Sequence, residues 1–180
     1  MGVLPASIRL ALPADAVGIA RVHVNSWQTT YKGIIKDEIL AGLSVERREQ
    51  NWLRQIEAPQ PNSFLYIAEL NGKEIGFSNG GPERTDDAHF KGEIYALYLL
   101  KEHQRQGIGR MLVEASVISL LANGLRSMLI WVLRDNPSCS FYEAIGGKYI
   151  REKVIEIQGQ NLVEVAYGWD NLYKLVEKHA

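Results

Sequence analysis

The chain is 180 residues long, 46% hydrophobic and 23% charged, a composition that excludes a disordered polymer and fits one globular domain over residues 1–180. Twenty basic against twenty-one acidic residues leave a net charge of −1, without the broad positive field of a nucleic-acid binder. No apolar run approaches the roughly 18 residues of a membrane span, residues 1–12 lack a secretory h-region, and Cys139 has no second cysteine to pair with. These features predict a soluble, cytoplasmic chain. CxxC and HExxH strings are absent as well, so no metal site is expected.

Residues 7–12 alternate Ile8, Leu10 and Leu12 as a short strand. Pro13 and Asp15 then open a helix through Ala16, Val17, Ile19, Ala20 and Val24. Residues 27–56 read as amphipathic helix broken at Gly33 and Gly42. Asn71-Gly72, the dipeptide of a two-residue hairpin, separates apolar runs at 64–70 and 74–79. Residues 93–100 form a nearly continuous apolar strand, followed by a polar turn and a helix. In that helix Ile108, Met111, Leu112, Ala115, Ile118, Leu121 and Ala122 keep a 3.6-residue period, and Gly124 stands at the stop. Residues 128–133 are wholly apolar, as a strand covered on both faces would be. Strand, helix and strand in this order predict a right-handed parallel crossover. Asn136 and Pro137 cap a short helix ending at Gly146-Gly147. Residues 149–157 and 162–169 form a second hairpin around Gly159, whose apolar surface suits a homodimer. The fold class expected is mixed α/β: a twisted, mostly antiparallel sheet with one parallel pair.

The chemistry concentrates between the buried strand and the helix start, in Gln104, Arg105, Gln106, Gly107, Ile108, Gly109 and Arg110. Free amides at a helix N-terminus, with the helix dipole behind them, bind phosphate oxygens. Glycines at 107 and 109 allow close approach and positive φ, while Arg105 and Arg110 add charge at the rim. A plain capped turn is the alternative reading. A P-loop is excluded because no Lys-Ser or Lys-Thr pair follows the glycines. A dinucleotide loop is excluded because Leu112 stands at its third glycine position. Asp135 imitates that fold's ribose-binding acid, but one βαβ unit is too few for a doubly wound sheet.

The strand at 93–100, the Gln104-x-x-Gly107-x-Gly109 loop, the strand at 128–133, and Asn136 followed by Phe141-Tyr142-Glu143 together resemble the GNAT superfamily of acyl-CoA-dependent N-acyltransferases. The order of elements across nearly the whole chain is similar too. The resemblance implies a three-layer αβα arrangement whose parallel strands splay to admit coenzyme A. It implies an enzyme that moves the acetyl group of acetyl-CoA to the primary amine of a small molecule or peptide. Leu97 and Leu99 would offer main-chain groups to the pantetheine arm, with the Leu99 N–H at the oxyanion, and the 104–110 turn would take the pyrophosphate. Asn136 would hydrogen-bond the coenzyme; its alternative is a simple helix cap, and many relatives have one more residue between it and the Phe-Tyr pair.

Acetyl transfer poses two proton problems. An alkyl ammonium with a pKa of about 10.4 is roughly one part in a thousand neutral at pH 7, and the leaving thiolate needs a proton. By resemblance Tyr142 is the acid at the sulfur; otherwise it is a core aromatic beside Phe141. Glu93 stands where some similar proteins carry a catalytic base; otherwise it is a strand-edge charge, solvated or paired with Lys91. Water chains replace a single base in many relatives. Trp27 and Tyr31, placed in the break between the first two helices, would line a pocket for the amine, although packing is the commoner role of such pairs. Cys139 reads as a buried structural residue. His23, His89, His103 and His179 show no ligand spacing and read as surface or helix-face residues. Glu46-Arg47-Arg48-Glu49 reads as a solvated face. Two other functions compete: a non-catalytic acyl-CoA sensor using the same pocket, and a dinucleotide binder. The acceptor itself is not encoded in any motif.

Overall fold

The computed structural model describes residues 5–177, so His179 lies outside the described residues. Seven strands form one sheet in the order β1-β2-β3-β4-β5-β7-β6. Strands β1 (Ser7–Leu10), β2 (Phe64–Leu70), β3 (Lys73–Pro82) and β4 (Gly92–Leu99) are antiparallel neighbours, with the Asn71-Gly72 turn joining β2 to β3. Strand β5 (Met128–Leu133) runs parallel to β4; β6 (Lys148–Ile157) and β7 (Gln160–Trp169) complete an antiparallel arm on its other side.

Helices α1 (Ala16–Thr30) and α3 (Val45–Glu57), joined through the short α2 (Asp37–Ala41), cover one face. Ile19, Trp52, Ile67 and Phe77 make the core there. The crossover helix α4 (Ile108–Ala122) covers the other face with Val113, Val117 and Leu120. Two short helices follow, α5 (Cys139–Ala144) and α6 (Tyr173–Val176). The result is the three-layer mixed α/β arrangement expected.

Three local expectations are corrected. First, α1 runs on to Thr30, so Trp27 sits on its last turn and not in the break, whereas Tyr31, the C-cap, stands where the break begins. Second, α4 buries Ile108, Leu112, Val113, Ser116, Val117 and Leu120, whereas Ile118 is 58% exposed and Met111 is also open. Two apolar stripes compete on this helix, and a buried serine disguises the winning one. Ser116 is tolerated there because its hydroxyl reaches Leu112 O at 2.8 Å and the Ser78 hydroxyl at 2.6 Å. Third, α5 begins after Asn136-Pro137; Asn136 instead folds an Asx turn, its Oδ1 accepting from Ser138 N at 2.8 Å.

The parallel pair decides where a ligand enters. Its register covers only Gly92–Met128, Glu93–Leu129 and Ile94–Ile130. Beyond Ile94 the ladder stops. On the other side of β4, Asn79 pairs with Ala96 and Gly80 with Ile94, so Tyr95 is an extra residue, a β-bulge that turns β4 away from β5. Gly80 permits the bulge: a Cβ there would stand 2.5 Å from both the Glu93 carbonyl oxygen and the Phe64 ring.

Candidate active site

The parting strands leave a slot of about 60 Å³ whose walls include Leu97, Leu99, Asn136 and Tyr142. Hydrogen-bond alternation fixes the direction of the β4 main chain. Leu100 N donates to Ile75 O at 2.9 Å, so residue 100 faces β3. With period two, residue 98 does likewise, and the amides and carbonyls of Leu97 and Leu99 turn toward the slot. The Leu99 carbonyl already accepts from Gln104 Nε2 at 3.1 Å, which ties the next turn to the strand end.

That turn is rich in free donors. Among the described residues, none of the amides from Arg105 to Arg110 finds a backbone acceptor, whereas Met111 N closes the first helical bond to Gly107 O. Arg105 (φ 61°) and Gly107 (φ 82°) both take left-handed backbone just before α4, the kind of turn in which successive amides can form an anion-binding nest. Gly109 is inside the helix and serves packing: a Cβ there would meet the Phe141 ring at 3.5 Å. Gln106 turns back to Glu102 O, and Arg110 lines a separate cleft beside Glu143, Lys148 and Asp170.

Tyr142 closes the inner wall. It is buried, and among the described residues nothing hydrogen-bonds its hydroxyl. Burial first, then the neighbouring Tyr98 and Cys139, push its pKa above the usual phenol range, so the hydroxyl stays protonated at any physiological pH. Asn136 Nδ2 points to the Tyr31 hydroxyl at 3.4 Å, which joins the end of α1 to the loop after β5. Ser26, also on α1 and only 2% exposed, lines the slot with a hydroxyl that has no partner among the described residues.

A larger groove of about 940 Å³ lies across β4, between α3 and the sheet. It shares Tyr95, Ala96 and Tyr98 with the slot, so the two open on a common wall. Trp27 lines the groove and donates from Nε1 to the Tyr98 hydroxyl at 2.9 Å; Tyr31 turns to the slot instead. His23 is buried here, stacked on Tyr98 with ring centroids 5.0 Å apart, and not the surface residue expected. Its Nδ1 accepts from Trp52 Nε1 at 3.2 Å. Burial first, and then the positive charge of Arg48, push its pKa down to about 3, so it is neutral at pH 7. Arg48 belongs to the groove as well, lying 5.6 Å over the Trp27 ring and not on a purely solvated face. Nothing local in the sequence announces this aromatic cluster.

Glu93 is 2% exposed at the start of β4. Its partner is neither water nor Lys91. Arg84 N and Nε both donate to one carboxylate oxygen at 3.2 Å, and Arg84 Nη2 reaches the other at 2.6 Å. The same guanidinium lies 4.0 Å over the Tyr95 ring at the bulge. Among the described residues, no group of three or more His, Cys, Asp or Glu side chains could hold a metal ion, and no helix is long and apolar enough to cross a membrane.

A seven-stranded sheet in this order, parting at its one parallel pair, is the fold of solved N-acetyltransferase structures. The chain belongs to the acetyltransferase (GNAT) family, whose profile matches residues 20–146. It is 38% identical to the uncharacterized N-acetyltransferase YuaI of Bacillus subtilis, over 94% of this chain and 95% of that protein. A probable N-acetyltransferase of Mycobacterium tuberculosis is 29% identical over 89% of this chain and 91% of its own length. Among solved structures, the PaiA N-acetyltransferase of Thermoplasma acidophilum in complex with coenzyme A has the same fold, with a TM-score of 0.70 at 24% identity, over 90% of this chain and 98% of that one. As a family member the protein is an acetyl-CoA-dependent acetyltransferase.

Proposed function

We propose that the chain acetylates the primary amine of a small molecule by direct attack on acetyl-CoA. The observation that carries this reading is the slot, where Leu97 and Leu99 turn their main chain toward the side of a protonated, otherwise unengaged Tyr142, and the free amides of Arg105–Arg110 follow Gln104 at its edge. Acetyl-CoA supplies an activated acyl group as a thioester. The turn amides, with the α4 dipole behind them, suit its pyrophosphate, and Leu97 and Leu99 suit the amide groups of its arm. The N–H of Leu99, turned away from β3, would donate to the oxygen that becomes negative when the amine adds to the carbonyl carbon. As the carbon–sulfur bond breaks, the Tyr142 hydroxyl gives its proton to sulfur. Asn136 serves the coenzyme from the loop edge.

For the amine proton we favour water over Glu93. The Glu93 carboxylate already accepts three hydrogen bonds from Arg84, and a lone pair so engaged is poorly placed to take another proton. Glu93 then acts by holding Arg84 against Tyr95 at the bulge. The groove beside the slot, at about 940 Å³, is of a size for a small molecule, and Trp27 on its wall fits an acceptor site better than Tyr31 does. The test is release of free thiol from acetyl-CoA against a broad amine panel. Turnover with one class of small amine is expected; tight acetyl-CoA binding with no thiol release for any amine would replace the enzyme with an acyl-CoA sensor.

A further inference from the structure

The groove that opens on the slot carries charge of one sign. Its charged lining residues are Arg48, Arg54 and Arg84, and no aspartate or glutamate lines it. Arg84 is held by Glu93, and Arg54 donates to the Asn51 side chain near the rim. Arg48 differs. Among the described residues it has no carboxylate partner, and it lies over Trp27 at the inner end, where the groove meets Tyr98. Its positive charge is felt there by both His23 and Tyr98. The surrounding walls, Trp27, Trp52 and a neutral His23, are aromatic and supply no counter-charge.

We infer that the acceptor is a small amine that also carries an oxyanion, a carboxylate or a phosphorus oxyacid, and that Arg48 grips this group. The inference rests on the acetyltransferase reading of the slot and adds the chemical class of the second substrate. A guanidinium forms paired, charge-assisted hydrogen bonds with a carboxylate or phosphonate, and does so most strongly where water is scarce. A diamine or polyamine would bring a second ammonium against Arg48 with no acid to receive it. Such an acceptor needs a carboxylate-lined groove, the opposite of the one present.

The experiment uses the intact wild-type protein with acetyl-CoA and matched amine pairs. Each amino acid, from α-amino acids to 5-aminopentanoate, is paired with its own amide; aminoalkylphosphonates and linear diamines complete the set. Thiol release is referred to the concentration of neutral amine, so that differing amine pKa values cancel. At least one acid or phosphonate is expected to exceed its uncharged partner and every diamine by about tenfold or more in kcat/KM. Arg48→Gln is expected to raise KM for the preferred acid by about tenfold with a smaller change in kcat, and Arg48→Lys to recover part of it. Amides or diamines turned over as readily as acids would overturn the inference while leaving the transferase intact. An unchanged KM in Arg48→Gln would overturn the role of Arg48. Acetyl-CoA binding without thiol release for any amine would remove the transferase reading, and this inference with it.

Discussion

The slot and the groove meet at the same three residues of β4, yet they are built from different material. The slot side is main chain: amides of Leu97 and Leu99 and, past Gln104 at the slot's edge, the free amides of the 105–110 turn with its two left-handed residues. The groove is side chain: Trp27 and His23 from α1, Arg48 and Trp52 from α3, Tyr98 from β4. The first suits a ligand that never changes, because backbone donors depend on the path of the chain and little on side-chain identity. The second suits a ligand that differs from one relative to the next, because its shape and charge change with single substitutions. Both observations argue that coenzyme binding and acceptor specificity are divided across β4.

The largest effect expected on the slot side comes from Tyr142→Phe. Loss of the general acid proposed at this position lowers kcat by about 10²–10⁴-fold, while acetyl-CoA affinity, measured by titration calorimetry, changes little. The raised pKa has a sign that can be checked. The hydroxyl stays protonated beyond the ordinary phenol value, so this group imposes no fall in wild-type kcat up to about pH 10. A fall in kcat near pH 8 that vanished in Tyr142→Phe would contradict the burial of this hydroxyl.

A smaller effect separates the paired glycines. Gly107→Val places a branched side chain at φ 82°, where nothing crowds its Cβ, so the penalty is conformational. Where the free turn escapes strain of about 1–3 kcal/mol by leaving the left-handed region, the acetyl-CoA Kd rises by roughly five- to 150-fold, with the amine KM unmoved. Gly109→Ala stays helical, meets Phe141 only at contact distance, and is expected to change Kd by less than about twofold. Equal losses in the two variants would mean that the turn works through packing and not through left-handed amides.

The same division decides what could be read from residues alone. The slot is local in sequence: a strand, seven polar or glycine residues and a helix, followed by Asn136 and Tyr142 within 33 positions of Gly109. Periodicity and turn chemistry are enough to order those pieces, and the hairpins announce themselves through Asn71-Gly72 and Gly159. The groove joins positions 71 apart, Trp27 and Tyr98, and 29 apart, His23 and Trp52. No short-range pattern reports such pairings. His23 therefore looked like any helix-face histidine, and Glu93 looked solvated or paired with its near neighbour Lys91, because the hairpin that brings up Arg84 from nine positions away leaves no periodic trace.

His23 offers the next test, of the groove. Its folded pKa of about 3 lies below the unfolded value of about 6.5. The sign follows directly: stability from burying neutral His23 is fully present above pH 6.5 and is lost as pH falls toward 3. The cost approaches roughly 1.4 kcal/mol per pH unit across that window. His23→Gln, which keeps a polar side chain beside Trp52, is expected to flatten the decline of urea midpoints between pH 6 and pH 4. Parallel declines in wild type and variant would show that His23 is not the group titrating there.

The smallest effect belongs to Ser26, and its two signs oppose each other. Its hydroxyl is buried on α1 facing the slot, without a partner among the described residues, so folding leaves a donor unsatisfied. Ser26→Ala removes that donor and improves helix propensity, which together stabilise the free protein by about 1 kcal/mol and raise Tm by a few degrees. If the hydroxyl finds its acceptor in acetyl-CoA, the same variant weakens binding by about fivefold, the equivalent of one neutral hydrogen bond. Stability and affinity then move apart in a single substitution, which packing alone does not produce. A variant that gains stability and binds acetyl-CoA as wild type does would mean that the slot is gripped by its backbone without help from α1.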